Sequence, residues 1–269
     1  MSRDESNQEV VSLYVERRGQ GPGLVLIHGS ATDAGTWAPQ LSALNGAFDV
    51  VAYDRRGTRR SPRRDDRGSQ RVEDHAEDAA CLIRALFGDP VLLLGSSFGA
   101  VVCIEVAARH PELLRGVIAC EPPLVAAAPD REQHRAFCDA FARVLAAEGG
   151  ERAAELFLRT VLGDAVYDRI PKRRLAASLS LHRAIAEDIA AADAYRPDWN
   201  VLRNHAVPTL LVYGERSAPH FRPIIARLAA ELPHAEVVEI ANAGHLVHIE
   251  AAERLHREVR RFAAGISGW

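Results

Sequence analysis

Gly95-Ser96-Ser97-Phe98-Gly99 stands between an apolar run, Val91-Leu92-Leu93-Leu94, and a helical pattern from Ala100 to Ala108. The pentapeptide fits G-x-S-x-G with Ser97 at its centre, and strand, sharp turn and helix is the context in which that motif presents a nucleophile. Such a turn forces the central residue into a strained conformation, so the positions two before and two after it must be small. Gly95 and Gly99 meet that demand. The hydroxyl of Ser97 is therefore expected to project clear of a sheet edge.

Outward from this turn, short apolar runs recur on both sides. Leu24 to Ile27 and Phe48 to Tyr53 precede it; Leu114 to Cys120, Thr209 to Tyr213 and Glu236 to Ile240 follow it. The unbroken apolar run Leu24 to Ile27 suits a strand covered on both faces, and the others read as strands. Val10 to Arg17 is a further β-rich stretch, closed by the turn cluster Gly19-Gln20-Gly21-Pro22-Gly23. Helical periodicity runs from Val72 to Phe87 and from Arg222 to Leu232, with a final helix from about Val247 to Ala263. Alternation of this kind implies an α/β fold: a mostly parallel central sheet with helices on both faces. The stretch from Pro122 to about Val207 is strand-poor and rich in Ala, Leu and Arg, and reads as amphipathic helices. The expected organisation is a core of residues 1–122 and 207–269, with 123–206 forming a helical cap inserted over the sheet's carboxyl edge.

A length of 269 residues suits one large domain with such an insertion. Apolar content of 48% and charged content of 26% are those of an ordinary globular protein. A formal net charge of -3 gives no reason to expect nucleic acid or an anionic membrane as partner. The polar N-terminus and the lack of a long apolar run predict neither a signal peptide nor a membrane span. Cys81, Cys103, Cys120 and Cys138 lack metal-type spacing and mostly fall in apolar patterns, so buried free thiols and a cytoplasmic location are expected. With no phosphate-binding glycine loop and no ligand cluster in sequence, neither a cofactor nor a metal is expected.

A serine nucleophile needs a base, an acid to orient that base, and donors for an oxyanion. Among eleven histidines, His245 in Asn242-Ala243-Gly244-His245 directly follows the last strand, at the same sheet edge as the turn; His248 is the alternative. One oxyanion donor is the backbone N–H of Phe98, at the start of a helix whose dipole assists. The second is the N–H of Ser30, in the loop His28-Gly29-Ser30, where His28 reads as a brace.

Taken together, His28-Gly29-Ser30, Trp37, Asp54-Arg55-Arg56-Gly57, the serine turn, Arg109-His110-Pro111-Glu112, Val207-Pro208-Thr209 and Gly244-His245 resemble the α/β-hydrolase superfamily over nearly the whole chain. The resemblance implies a Ser…acid…His order and a lid. Two positions depart from its pattern. Gly57-Thr58-Arg59-Arg60-Ser61 has arginine where Gly-x-Gly-x-Ser has its second glycine, and Ser217 in Gly214-Glu215-Arg216-Ser217 stands at the usual acid position. Some branches carry the acid one strand earlier, which here is Glu121 in Cys120-Glu121-Pro122-Pro123. Glu121 is the first choice for the acid; Glu215 or a bare Ser–His pair are the alternatives. Asp54 reads as a brace for its own loop.

The expected activity is hydrolysis of an ester, thioester or lactone of a medium-sized, largely apolar small molecule through an acyl-enzyme on Ser97. The same scaffold also supports carbon–carbon hydrolysis, lyase or cyclisation chemistry, or a non-catalytic ligand-binding module. Epoxide hydrolases and dehalogenases of the superfamily use a carboxylate at the turn, which Ser97 excludes. Trp37 is expected to serve as packing or pocket wall, and Phe137, Phe141, Leu156, Phe157, Val161, Leu162, Tyr167, Tyr195 and Trp199 are candidate walls from the cap. Seven arginines between Arg55 and Arg67, interleaved with Asp65 and Asp66, form either a solvated loop or a docking site for an acidic substrate or acidic carrier protein.

Overall fold

A computed structural model describes residues 12–63 and 70–266. Its centre is a seven-stranded sheet of β1 (Val15–Arg18), β2 (Gly23–Ile27), β3 (Asp49–Tyr53), β4 (Val91–Ser96), β5 (Leu114–Cys120), β6 (Thr209–Gly214) and β7 (Ala235–Ile240). The spatial order is β1-β3-β2-β4-β5-β6-β7. Only β1 runs antiparallel, along β3; every other pairing is parallel. Strand order reverses between β2 and its neighbours β3 and β4, which opens a crevice at the carboxyl ends. The predicted N-terminal strand starts five residues later than its β-rich pattern, and Val10 and Val11 lie outside the described residues.

Alternation along the strands builds two cores. Val25, Ile27, Leu93 and Val117 face one side of the sheet, while Leu24, Leu26, Leu92 and Ile118 face the other. Side chains of period two thus feed both layers, which is why the strands read as unbroken apolar runs. Helix α1 (Ala38–Leu44), entered through a 3-10 turn at Ala34–Trp37, covers one face; α2 (Val72–Leu86) and α3 (Phe98–Arg109) cover the other.

Between β5 and β6 lie only helices: α4 (Glu132–Glu148), α5 (Gly150–Leu162), α6 (Asp164–Tyr167), α7 (Lys172–Leu179), α8 (His182–Ala194) and α9 (Trp199–Asn204), after a 3-10 turn. This insert has a small core of its own, with Phe141, Ala153, Ala154, Leu158, Tyr167 and Ile185, joined by Ala31 from the loop after β2. Helix α10 (Phe221–Glu231) links β6 to β7. The expected single final helix is two, α11 (Val247–Glu250) and α12 (Ala252–Gly265), broken at Ala251 with φ -133°. Helical periodicity does not register the break, because a single non-helical residue leaves the apolar spacing on each side intact.

Cys103 and Cys120 are buried, as expected of free thiols, but Cys81 on α2 is exposed and Cys138 half-buried. No helix among the described residues is long and apolar enough to cross a membrane.

Candidate active site

The turn after β4 carries the strain its sequence predicts: Ser97 has φ 54° and ψ -124°. A Cβ on Gly95 would lie 2.3 Å from the Gly99 carbonyl oxygen, and one on Gly99 would lie 2.2 Å from that of Ile27. Neither position has room for a side chain. The Ser97 N–H donates to the Cys120 carbonyl at 2.8 Å, which ties the turn to the neighbouring strand end. At Gly29 an added Cβ would approach Ser97 Cβ to 3.0 Å, so the loop after β2 lies directly against the serine. The amides of Ser30 and Phe98 donate to no acceptor among the described residues.

His245 and Glu121 meet at the neighbouring strand ends. His245 Nδ1 stands 2.6 Å from Glu121 Oε2, both residues being buried. A carboxylate can only accept, so Nδ1 is the donor, and in the neutral ring the lone pair is then on Nε2. Glu121 itself sits at φ 51° and is over-determined. Its N–H donates to Val212, and Oε1 accepts from the Gly214 N–H at 2.7 Å and from the Ser217 hydroxyl. The serine at the usual acid position therefore donates to the displaced carboxylate. Phe221 stacks on the imidazole at 4.9 Å between ring centroids. Glu215 lies apart from His245, exposed, and accepts from the Asn242 N–H.

Two residues that the sequence reading did not assign to support roles brace this edge. Glu250 accepts from the N–H groups of Gly244 and Leu246, clasping the loop on both sides of His245. His248, the alternative base, is buried between Ser96 Oγ at 3.2 Å and Thr36 Oγ1 at 3.0 Å. Burial, and secondarily the neighbouring His245, push its pKa down to about 3, so it stays neutral. His28 is buried as well and accepts the Arg55 N–H at Nε2, which leaves Nδ1 to donate to the Gly29 carbonyl at 2.7 Å. Asp54 accepts from the Ala34 N–H and from Arg60. Burial would raise its pKa, but the Arg60 and amide hydrogen bonds outweigh it and hold the carboxyl low.

A cavity of about 180 Å³ opens beneath the insert. Ser97, His245, Ser30 and Phe98 all line it, with Phe137, Phe157 and Val161 of the insert among its apolar walls. The other aromatic candidates lie elsewhere. Trp37 is fully buried on the opposite sheet face, tilted against His248 at 4.7 Å. Phe141 and Tyr167 fill the insert's own core; Tyr195 packs in the main core and donates to Glu105. Trp199 packs at the main core's margin beneath Arg227. Leu156 and Leu162 are likewise absent from the cavity wall. A helical repeat does not say which of two apolar environments a side chain enters, and that ambiguity accounts for these departures.

The arginine-rich loop is an internal scaffold. Arg55 pairs with Asp188, Arg56 with Asp78, Arg59 with Asp33, Arg60 with Asp54 and Arg63 with Glu187. Those five guanidinium groups pair with the chain's own carboxylates, and Arg55 and Arg56 are buried, which departs from the solvated loop that is the first reading of the sequence. Arg64, Asp65, Asp66 and Arg67 lie outside the described residues. Arg59 adopts φ 45°, the left-handed conformation that the missing glycine would take, so the turn keeps its shape despite the side chain.

One set of metal-type donors also converges among the described residues. His134, Cys138 and Asp193 bring ligand atoms within 4.8 Å of one another. Burial first, then Asp193, pushes the Cys138 thiol up to about 11, so it is protonated at neutral pH. Sequence spacing missed the set because Asp193 comes from a different helix.

A parallel sheet with a strained serine at one strand end, facing a roofed cavity, places the molecule among hydrolases of α/β fold. The chain belongs to the alpha/beta hydrolase family, whose sequence profile matches residues 24–258. It is 26% identical over 264 residues to 2-(acetamidomethylene)succinate hydrolase of Mesorhizobium japonicum, covering 94% of this chain and 91% of that protein. A 36% identical match to the uncharacterized hydrolase YraK of Bacillus subtilis spans 114 residues, 42% of each. A thermophilic esterase from Thermogutta terrifontis superposes with a TM-score of 0.77 at 27% identity, over 94% of this chain and 93% of its own.

Proposed function

We propose that this chain is a serine hydrolase of carboxylic esters, thioesters or lactones, acting on a medium-sized, largely apolar small molecule. The observation that carries this reading is the 2.6 Å contact of His245 Nδ1 with Glu121, beside a cavity that Ser97 shares. Ser97 Oγ attacks the acyl carbon while His245 Nε2 takes the hydroxyl proton. Glu121 stabilises the imidazolium so formed, as the acid of a triad does. The N–H groups of Ser30 and Phe98 receive the oxyanion, each such donor contributing on the order of 10²–10³ in rate. His245 returns the proton to the leaving atom, the oxygen of an alcohol or enol or the sulfur of a thiol. Water, deprotonated by the same imidazole, then releases the acid from Ser97.

The cavity walls support this substrate class. Phe137, Phe157, Val161 and Ile189 make the cavity largely apolar, and its size suits a small or medium acyl group. Likeness to an esterase structure supports the same chemistry. A panel of p-nitrophenyl esters of graded chain length tests this reading, together with Ser97→Ala. Turnover should peak at short to medium acyl chains, and the variant should lose roughly 10⁴–10⁶ in kcat. Near-normal activity of Ser97→Ala on every ester would remove the nucleophile from the mechanism. Mass spectrometry of the quenched enzyme should show an acyl adduct on Ser97. Turnover without that adduct would point instead to acid–base chemistry by the same residues.

A further inference from the structure

Between the insert and the loop after β2 lies a buried ion pair that the reaction as written does not use. Arg55 is 1% exposed and Asp188, on α8, 5%. Their contact is two-pronged: Arg55 Nη1 donates to Asp188 Oδ1 at 3.0 Å and Nη2 to Oδ2 at 2.7 Å. The same guanidinium donates from Nε to the His28 carbonyl at 3.0 Å and from Nη2 to the Gly29 carbonyl at 3.2 Å. It also lies over the Phe98 ring, 4.6 Å from the centroid. Asp188 Oδ2 accepts in turn from the Ser30 hydroxyl at 2.7 Å.

These contacts bear on one peptide unit. The Gly29 carbonyl and the Ser30 N–H belong to the same planar trans amide, so they point in opposite directions. Two donors, His28 Nδ1 and Arg55 Nη2, hold that carbonyl. Rotation of the peptide would break both bonds, so the direction of the Ser30 N–H is set from behind by the guanidinium. The guanidinium is in turn set by Asp188 from the insert, and Ala31, one residue on, packs into the insert's core at φ 62°. A buried ion pair is a weak source of stability, because well-packed apolar residues of similar volume usually do as well or better. What such residues could not supply is the directed set of donors.

We propose that Arg55 and Asp188 are positioning residues for the oxyanion hole, coupling the helical insert to the peptide that carries the Ser30 N–H. The inference rests on the serine-hydrolase reading above. It assigns the insert a part in transition-state stabilisation as well as in shaping the cavity.

The test is the paired variant Arg55→Met/Asp188→Leu, which removes both charges together, assayed beside Arg55→Lys and Ser97→Ala. Readouts are kcat and KM on a p-nitrophenyl ester, the thermal midpoint, and the inhibition constant of an aryl trifluoromethyl ketone. That ketone bonds its carbonyl carbon to a serine oxygen, passing the hydroxyl proton to the base and leaving a tetrahedral oxyanion. The paired variant should stay folded with a modestly lower thermal midpoint, because the His28 carbonyl loses its donor, and should lose about 10–100-fold in kcat with KM changed by less than about threefold. Ketone affinity should fall by the same factor as kcat. Arg55→Lys, which keeps the charge but lacks the planar fork that reaches both carbonyls and both Asp188 oxygens at once, should move the same way by a smaller factor. Wild-type kcat in the paired variant, or a loss confined to KM or unaccompanied by weaker ketone binding, would overturn the proposal. Should the paired variant not fold, unchanged kcat and ketone affinity in Arg55→Lys overturn it alone. Activity surviving in Ser97→Ala would instead defeat the serine-hydrolase reading itself.

Discussion

In the triad proposed here, Glu121 takes from a different address the acid role that Ser217 cannot fill. Serine at 217 cannot hold a negative charge, yet its hydroxyl reaches the carboxylate that enters from the preceding strand end. Two donors and one imidazole then converge on the Glu121 carboxylate, at the cost of a left-handed backbone that a glutamate disfavours. The consequence is testable by amide substitution. Glu121→Gln should lower kcat/KM on the best ester by about 10⁴, as loss of the orienting carboxylate does elsewhere, because the amide favours the wrong imidazole tautomer. Glu215→Gln removes only an exposed brace and should stay within about threefold of wild type. The reverse ranking would transfer the acid role to Glu215.

At the scale of elements, the strand–turn–helix unit of β4 and α3 works because its backbone touches the end of β2 and the loop after it without side chains between them. Gly99 meets the Ile27 carbonyl, and Gly29 meets Ser97. Gly99→Ala should therefore destabilise the fold by about 3 kcal/mol or more, since the obstruction is backbone that cannot rotate away. Urea unfolding measures this; a midpoint equal to wild type would show that the turn tolerates a displacement its packing denies. The break between α11 and α12 has an analogous local role. Glu250, the last residue of α11, turns its carboxylate back onto the amides flanking His245. A single continuous helix reads equally well from the apolar spacing, and the carboxylate's use is visible only once the loop is in place.

For the whole molecule, the buried imidazoles dictate how stability varies with pH. His28 and His248 are held down to about 3, and His75 well below the usual imidazole range, each chiefly by burial. In the unfolded chain they titrate near 6.5, so between that value and their folded pKa the unfolded state binds more protons. Stability is complete above about pH 6.5 and falls as pH drops, each group contributing up to about 1.4 kcal/mol per pH unit. The thermal midpoint should decline steadily from pH 6.5 to 4.5, and His248→Gln should make the decline shallower. A midpoint that stays flat from pH 7 to 5 would mean that these histidines are protonated in place.

Sequence alone was enough for the parallel sheet, the helical insertion, the serine turn and the residues at the neighbouring strand ends. Those features depend on local chemistry: the apolar period of strands and helices, the steric demand of a tight turn, and ionisable groups just past apolar runs. Tertiary structure decided which apolar side chains of the insert face the cavity and which, like Phe141 and Trp199, pack elsewhere. It also decided that arginines reading as a solvated surface pair with the chain's own carboxylates, and that Asp188 reaches Arg55 across 133 positions. The physical reason is that periodicity reports only that a face is buried, whereas the partner on that face depends on how distant segments come together.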